Sequence, residues 1–299
     1  MKKVLNKEKH VFSMNSDISP NFYIDLNERV TVETYDCYKN EISNKNSKLS
    51  NDILDKTNPA TGPIFINGVN KGDVLKVHIQ NIHPTSKGIM YTGHDIGVSR
   101  LIKKDEFSFF EKYNDEFLCF ANFKIPINKM IGVIGVAPAH GSISNSTPDN
   151  HGGNMDCKKI TEKSTLYLPV YHEGALLSIG DVHLAMADGE IGGTGMEINA
   201  KVDIKCTIAD VDMNIKNPII SNEEGIYYIS SDDSIENAIE NAIDELSKLF
   251  LSHSNLSINE LTKLFSLVCD VQINQVVNPK KSIRLYIPRI ILNELNVNL

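Results

Sequence analysis

The clearest β-strand in the sequence is Asp73-Val74-Leu75-Lys76-Val77-His78-Ile79. From Leu75 onward apolar and polar residues alternate, and successive side chains of a strand point to opposite faces of a sheet. One face of this strand is therefore expected to lie on a core and the other toward solvent. The preceding residues 68–72 begin and end with glycine, which is typical of a turn between strands.

Short segments of the same kind recur along most of the chain. Val30-Thr31-Val32-Glu33-Thr34-Tyr35 alternates in the same way and is rich in β-branched residues, which favour strands. Further strands are predicted at residues 63–68, 117–127, 130–137, 164–170, 175–179 and 201–211. Many short strands joined by Gly, Pro and Asn turns are typical of a β-sandwich or barrel. We therefore expect a mainly β protein in which residues 1–211 form a β-sandwich or jelly-roll-like region that carries the active-site motifs.

Helical periodicity appears only in the last third of the chain. Residues 234–246 place apolar side chains along one face of a 3.6-residue period, and Asp232, Asp233 or Ser234 can cap the start of this helix. A second helix is predicted from the capping box Ser257-Ile258-Asn259-Glu260. With strands predicted at 268–277 and 283–288, residues 212–299 are expected to form an α+β region. The polar residues 40–56 are predicted to be a surface loop.

Composition and charge exclude several classes of protein. The 299 residues include 38 acidic and 30 basic side chains, for a net charge of -8, which repels phosphate backbones and anionic lipid. We therefore expect no nucleic-acid partner and no membrane partner. The five cysteines are widely spaced and lack a CxxC pair, which argues against a disulfide framework and against a thiolate zinc site. No run approaches the ~20 apolar residues of a membrane helix, so we predict a cytoplasmic protein in a reducing compartment.

Two segments concentrate side chains that hold metals or transfer protons. They are Thr147-Pro148-Asp149-Asn150-His151-Gly152-Gly153-Asn154-Met155-Asp156 and Gly180-Asp181-Val182-His183-Leu184-Ala185-Met186-Ala187-Asp188-Gly189-Glu190. Asp181 and His183 are two residues apart and project from one face of an extended chain, and Glu190 can return to them after a tight turn. An imidazole with several carboxylates suits Zn, Mn or Fe, whereas all-oxygen coordination would suit Ca or Mg.

These motifs, taken in order, resemble the acetamidase/formamidase family. The matching segments lie between residues 58 and 197 and include Gly62-Pro63-Ile64-Phe65-Ile66-Asn67-Gly68, Gly132-Val133-Ile134-Gly135-Val136-Ala137-Pro138-Ala139, Gly152-Gly153-Asn154-Met155-Asp156, Gly180-Asp181-Val182-His183 and Asp188-Gly189-Glu190. The resemblance implies a β-sandwich with an appended α+β region, and hydrolysis of short amides to a carboxylate and ammonia. Ala187 departs from the family, which usually has glycine in this Gly-Asp-Gly-Glu turn, and this leaves the substrate range open.

Amide hydrolysis needs an activated nucleophile, a stabilised oxyanion and a proton for the departing nitrogen, and a bound metal can meet the first two needs. We hypothesise that Asp181 and His183, with one or both of Asp156 and Glu190, hold a divalent metal. Zinc is expected, with calcium or manganese as alternatives.

Four residues are candidates for the remaining steps. Glu190 is the first choice for general base, a role that competes with metal binding, and Asp188 is the second catalytic candidate. Asn154 is predicted to hydrogen-bond the substrate amide. The polar loop at residues 91–97 resembles a second wall of the pocket, which makes His94 a substrate-binding candidate.

Each motif also has a purely structural interpretation. Asp188 and Gly189 can form only a hairpin turn, and His183 can be a hydrogen-bonded core residue. Glu197 can be either a partner of the site or an ordinary strand residue, and His151 is expected on the surface. A thiol mechanism at Cys157 is disfavoured because adjacent strand residues, here Asp156 and Cys157, point to opposite faces.

Three functions therefore follow from the sequence. The first is a metal-dependent hydrolase of a small linear amide such as formamide or acetamide. The second is a hydrolase of a larger or cyclic amide. The third is a non-catalytic β-sandwich protein that binds a metal or another ligand. A homodimer is expected, because two-fold assemblies are the commonest oligomers.

Overall fold

The computed structural model describes residues 3–54, 56–209, 215–295 and 297. The strands are β1 (Lys3–Leu5), β2 (His10–Val11), β3 (Ser13–Asn15), β4 (Phe22–Asp25), β5 (Arg29–Thr34), β6 (Ala60–Asn67), β7 (Val74–Thr92), β8 (Glu106–Glu111), β9 (Phe117–Phe120), β10 (Phe123–Pro126), β11 (Met130–Gly135), β12 (Ser142–Ser144), β13 (Gly152–Asn154), β14 (Thr165–Pro169), β15 (Leu177–His183), β16 (Glu197–Ile208), β17 (Ile219–Ser221), β18 (Gly225–Asp232), β19 (Asp270–Gln275) and β20 (Lys281–Pro288). The helices are α1 (Asn51–Leu54), α2 (Ile235–His253), α3 (Ile258–Val268) and α4 (Arg289–Glu294).

Most of these strands belong to one large sheet. Its main path runs β13-β11-β15-β16-β7-β14-β17-β18-β20-β19, and six more strands join it at the sides. Strand β5 pairs with β16 and β1, strand β6 pairs with β15, β2 and β4, and β8 pairs with β7. The pairing is antiparallel except for β1 with β5 and β4 with β6, among the strands described. The prediction of a mainly β fold is confirmed.

Strands β7 and β16 pair with each other at the centre of the sheet. The first two residues of β16 face β7 on one side and β15 on the other, where Glu197 pairs with His183. From Ala200 onward, β5 replaces β15 as the second neighbour. Residues of these central strands, such as Val32, Ile79 and Ile204, are buried in the main core.

Two helices cover the C-terminal part of the sheet. Side chains of α2 and α3, among them Leu246, Phe250 and Phe265, form a second core with β18 and β20. The caps follow the predicted chemistry: Oγ of Ser234 accepts a hydrogen bond from the backbone of Asn237, and the capping box at the start of α3 is present. The predicted α+β character of the C-terminal region is confirmed, and the boundary predicted after residue 211 lies outside the described residues.

Two local predictions are corrected. Residues 117–127, predicted as one strand, form the hairpin of β9 and β10, because Ala121 adopts a left-handed conformation with φ of 49° and the chain reverses there. Residues 40–56 are not a simple surface loop. They include α1, and the buried side chain of Ile42 packs in a small cluster with Tyr91 and Phe107.

Candidate active site

The four residues predicted to bind metal meet at one end of three neighbouring segments. Asp156 follows β13, while Asp181 and His183 lie on β15. Strand β11 pairs with β13 on one side and with β15 on the other, which brings the two segments to the same place. Glu190 lies in the turn beyond β15. The structure thus brings all four side chains together, and their role in metal binding stays a prediction.

The distances among these side chains are those of a compact polar cluster. Ligand atoms of Asp156, His183 and Glu190 all lie within 4.8 Å of one another. Nε2 of His183 lies 3.6 Å from Oδ2 of Asp181 and 3.0 Å from Oε1 of Glu197. The imidazole is therefore surrounded by carboxylates from the turn, from its own strand and from β16.

Burial makes the charges of this cluster interact strongly. Burial, followed by the charge of Asp181, raises the pKa of Asp156 to about 6. Burial, followed by the charge of Asp156, raises the pKa of Glu190 well above its usual range. Burial alone would lower the pKa of His183, but Glu197 and Asp181 outweigh it and hold that pKa well above its usual value. Carboxylates that repel one another in a buried site attract a cation.

Three of these acidic residues occupy an unfavourable backbone conformation. The φ angles of Asp156, Asp181 and Glu190 are 42°, 53° and 46°, in the left-handed region that residues with a side chain seldom adopt. Such residues cost of order 1–3 kcal/mol each and cluster at active sites and ligand-binding sites. Three such backbone conformations therefore occur in one cluster. This observation does not depend on side-chain charge, and it also indicates a functional site.

Gly132, on β11, leaves the space in which two of these carboxylates sit. A Cβ atom at this position would lie 2.5 Å from Oδ1 of Asp156 and 2.5 Å from Oδ2 of Asp181. Both distances are far below van der Waals contact. The glycine is therefore required by the approach of the two carboxylates, which face each other across β11.

A cavity of about 160 Å³ borders the cluster. Asp181, Glu190 and Glu197 line it together with Asn154 and Cys37. The volume corresponds to about five molecules of liquid water, which suits a small amide better than a peptide. The site is therefore a small, partly open, acidic chamber with buried carboxylates in its wall.

Asn154 and a residue of the C-terminal region complete the chamber. Oδ1 of Asn154 is buried and has no hydrogen-bond partner in the part of the chain that the structure describes. Asn278 donates from Nδ2 to the backbone oxygen of Asn154 at 3.0 Å and to Oδ2 of Asp156 at 2.6 Å. Asn278 is absent from the sequence prediction because it follows β19 and belongs to neither polar motif.

Asp188 lies outside the cluster. Its two oxygens accept hydrogen bonds from Arg284 at 2.9 and 2.8 Å, and Nζ of Lys158 lies 2.8 Å away. Burial would raise the pKa of Asp188, but Arg284 and Lys158 outweigh it and hold the pKa below its usual value. A carboxylate held in this way is a poor proton acceptor. The structure places the carboxylate of Asp188 in ion pairs with Arg284 and Lys158, and its catalytic role stays a prediction.

The structure also separates His94 from the chamber. Its side chain is 71% exposed, and Nδ1 lies 2.8 Å from Oδ1 of the neighbouring Asp95. The same loop reaches the chamber through Ile96, which lines the wall. The loop therefore forms a wall of the chamber, as predicted, but it does so through the apolar side chain of Ile96.

Three further residues show the limits of sequence reasoning. Glu197, left open between a site partner and a strand residue, belongs to the cluster. Cys37 lines the same chamber although no motif surrounds it. His151, expected on the surface, is fully buried, and neither ring nitrogen has a hydrogen-bond partner among the described residues. Burial lowers the pKa of His151 to about 4.

Known structures share this fold over all or nearly all of the chain. A predicted acetamidase/formamidase from the thermophile Thermoanaerobacter tengcongensis is 38% identical and superposes with a TM-score of 0.96, covering 100% of this chain and 99% of that one. An acetamidase from Bacillus halodurans is 32% identical with a TM-score of 0.95, covering 98% of this chain and 100% of that one. Both likenesses extend beyond the active-site motifs to the C-terminal region.

Curated relatives match over shorter lengths. The formamidase of Methylophilus methylotrophus is 41% identical over 76 residues, which are 24% of this chain and 19% of that protein. A relative from Schizosaccharomyces pombe is 26% identical over 267 residues, covering 66% of this chain and 64% of its own length. The matched segments therefore span less than two thirds of these relatives.

The structure combines a mainly β fold with a buried cluster of carboxylates and one imidazole beside a small chamber. The sequence model of one family matches residues 2–146 and 142–294. The chain belongs to the acetamidase/formamidase family. Among the described residues, none of the helices has the length and apolar character needed to cross a bilayer.

Proposed function

We propose that this protein hydrolyses the C–N bond of a small linear amide to a carboxylate and ammonia. The observation that carries the proposal is the chamber. This member of the family has five buried polar side chains around a cavity of about 160 Å³. Formamide and acetamide are the substrates that the size of the chamber favours. The names of the relatives point to the same class of substrate.

The residues of the cluster fit a divalent metal. Oδ1 of Asp156 and Oε2 of Glu197 are buried and have no hydrogen-bond partner among the described residues. Imidazole and carboxylate ligands suit zinc or manganese, and we propose that Asp156, His183 and Glu190, with Asp181 beside them, hold zinc. When bound, such an ion activates water and polarises a carbonyl.

The remaining chemistry is assigned to residues of the chain. Glu190 lines the chamber and can take a proton from water and pass it to the departing nitrogen where Asp156, Asp181 and His183 hold the ion without it, since the two roles of Glu190 compete. The unpartnered Oδ1 of Asn154 can accept a hydrogen bond from the N–H of the amide and so orient it.

The first experiment measures ammonia release from formamide, acetamide and propionamide. Protein stripped of metal is compared with protein loaded with Zn²⁺, Mn²⁺ or Ca²⁺, and the metal content is measured in parallel. Glu190→Gln is expected to lower kcat by about 10²–10⁴-fold. Glu223→Gln, at an exposed position, is the matched control and should keep full activity. If no amide is cleaved with any metal, the non-catalytic binding function replaces this proposal.

A second cavity favours the larger-amide alternative. It measures about 370 Å³, is lined mainly by apolar side chains, and shares Glu190 and Thr194 with the polar chamber. Ala187, the residue that departs from the family pattern, lines this second cavity and not the polar chamber. An apolar group attached to the amide could occupy it.

The length of the acyl chain separates the two candidates. Each buried CH₂ contributes about 0.8 kcal/mol, or roughly a fourfold gain in kcat/KM, if the apolar cavity holds the acyl group. The series from acetamide to hexanamide should then rise, and Ala185→Phe, which fills the cavity, should cancel the rise. A steady fall with chain length leaves the small linear amide as substrate.

A homodimer and a cytoplasmic location stay predictions. Light scattering at several protein concentrations measures the first, and a mass of one chain at every concentration would contradict it. Fractionation of the cells that make the protein measures the second.

A further inference from the structure

The polar chamber contains a thiol that the proposed reaction does not use. Cys37 follows β5, is 4% exposed and lines the chamber. It is far in sequence from both polar motifs, and the lack of any CxxC pair made a thiolate metal site unexpected. The fold changes that expectation by placing this single thiol against carboxylates.

The surroundings of the thiol form a second group of potential ligands. Sγ of Cys37 and carboxylate oxygens of Asp181 and Glu197 all lie within 4.8 Å of one another. The three residues come from separate parts of the sheet, since Asp181 lies on β15 and Glu197 on β16. Oε2 of Glu197 is buried without a hydrogen-bond partner in the described part of the chain, so this oxygen is available to a cation.

This second group adjoins the first. Nε2 of His183, which belongs to the first group, lies 3.0 Å from Oε1 of Glu197 and 3.6 Å from Oδ2 of Asp181. Ions held by the two groups would therefore be neighbours. Paired ions are a known means of clamping both the attacking and the leaving atom of a hydrolytic reaction.

We propose that Cys37, Asp181 and Glu197 form a second cation site, and that this site takes a thiophilic divalent ion such as Zn²⁺. The inference rests on the proposed function only in that the neighbouring site holds the first ion. Sulfur is a soft ligand that selects zinc and related ions, whereas calcium and magnesium select oxygen. The sulfur of Cys37 should therefore make this site bind zinc more tightly than calcium. The role assigned to Cys37 is ligation, with no covalent bond to the substrate.

Cadmium is the probe, because its bond to a thiolate gives an ultraviolet charge-transfer band. Metal-free, full-length protein is titrated with Cd²⁺, and both the band and the bound equivalents are measured. Two equivalents and one thiolate band are expected. In Cys37→Ser the band should disappear and the stoichiometry should fall toward one, while Cys119→Ser, at an exposed position, should keep both. Excess Ca²⁺ should leave the band of the unsubstituted protein in place.

A second measurement uses the unsubstituted protein, in case Cys37→Ser folds poorly. Alkylation of each cysteine is mapped by mass spectrometry with and without Zn²⁺, and Zn²⁺ should slow modification of Cys37 at least tenfold. Binding of one equivalent without a thiolate band, or a band that survives in folded Cys37→Ser, would overturn the proposal. Ammonia release is recorded separately, so that a protein with the band but without amidase activity would refute the proposed function alone.

Discussion

Asn278 donates a hydrogen bond of 2.6 Å from its side chain to Oδ2 of Asp156, although 122 positions separate the two residues. The C-terminal region, which the sequence marked as an appendage, thus reaches into the chamber. The contact is supported by the adjoining backbone, where the nitrogen of Gly189 donates to the oxygen of Asn274 at 2.7 Å. Asp156 and the turn that carries Glu190 are therefore both held by β19 and the residues that follow it.

Replacing Asn278 with alanine should weaken metal binding more than stability. The substitution removes the donor that orients Asp156, and loss of such a supporting hydrogen bond typically lowers metal affinity or activity 10–100-fold. Calorimetric titration with Zn²⁺ measures the affinity, and thermal unfolding monitors the fold. Asn259→Ala, on an exposed part of α3, is the control. An unchanged affinity for Zn²⁺ would show that Asp156 needs no help from Asn278.

Arg284→Met should destabilise the fold and disturb the turn before Glu190. Arg284 is 1% exposed and also hydrogen-bonds Gln272 and Asn274, so its removal leaves the buried Oδ1 of Asn274 and the partly buried Oε1 of Gln272 without this donor. Breaking a fully buried ion pair by removing one partner costs about 3–5 kcal/mol, and the cost here should lie below that range because Asp188 is 32% exposed and keeps Lys158 as a partner. Urea unfolding measures the free energy of unfolding. Lys216→Ala, which breaks an exposed pair with Glu245, should change it by less than about 1 kcal/mol. Equal effects of the two substitutions would contradict the buried role.

Gly132→Ala should abolish the site by sterics alone. The added methyl group would displace Asp156 and Asp181, and β11 is buried along its whole length and cannot move aside. We expect Zn²⁺ binding to fall by more than tenfold and the melting temperature to drop by several degrees. Gly192→Ala is the control for stability, since a Cβ there meets nothing within 4 Å. Retention of tight Zn²⁺ binding by Gly132→Ala would disprove the steric requirement.

His151 should make the stability of the protein depend on pH. Burial lowers its pKa from 6.5 to about 4, so between these values the unfolded chain binds a proton that the folded chain does not. The free energy of unfolding should therefore fall as the pH drops from 6.5 to 4, by about 3 kcal/mol in all from this residue. Above pH 6.5 its contribution is constant.

Urea unfolding of the native protein and of His151→Asn across this pH range isolates the effect. The difference between the two proteins should change with pH between 4 and 6.5 and stay level above it. The exposed residue His140, changed to Asn, is the matched control. A constant difference across the whole range would mean that His151 is protonated alike in the folded and unfolded chains.

The sequence predicted most of the fold because local patterns carry most of it. Alternation in Leu75-Lys76-Val77-His78-Ile79 and the caps at Ser234 and Ser257 act over a few residues, and the structure retains them. The length of β7 was underestimated, since Pro84 and Gly88 resemble turn residues. They are accommodated where the register of β7 against β16 shifts.

The candidate site was predictable only where its residues are close in sequence. Asp181, His183 and Glu190 share one polar segment, and glycines flank that segment. Cys37 and Asn278 are isolated polar residues in the sequence, and only the pairing of distant strands brings them to the chamber. The pairing of distant strands also decides whether a carboxylate joins the buried cluster or pairs with an arginine. Asp188 pairs with Arg284 of β20, which its own sequence segment does not indicate.

The dependence of the chamber on Asn278 and Arg284 has a consequence for biosynthesis. A ribosome produces both polar motifs long before it produces β19 and β20. During that interval the repelling carboxylates have neither the donor from Asn278 nor the anchored turn that Arg284 provides. The nascent chain is therefore expected to stay inactive until β19 and β20 have been released and paired, so that activity would report on folding of the C-terminal region.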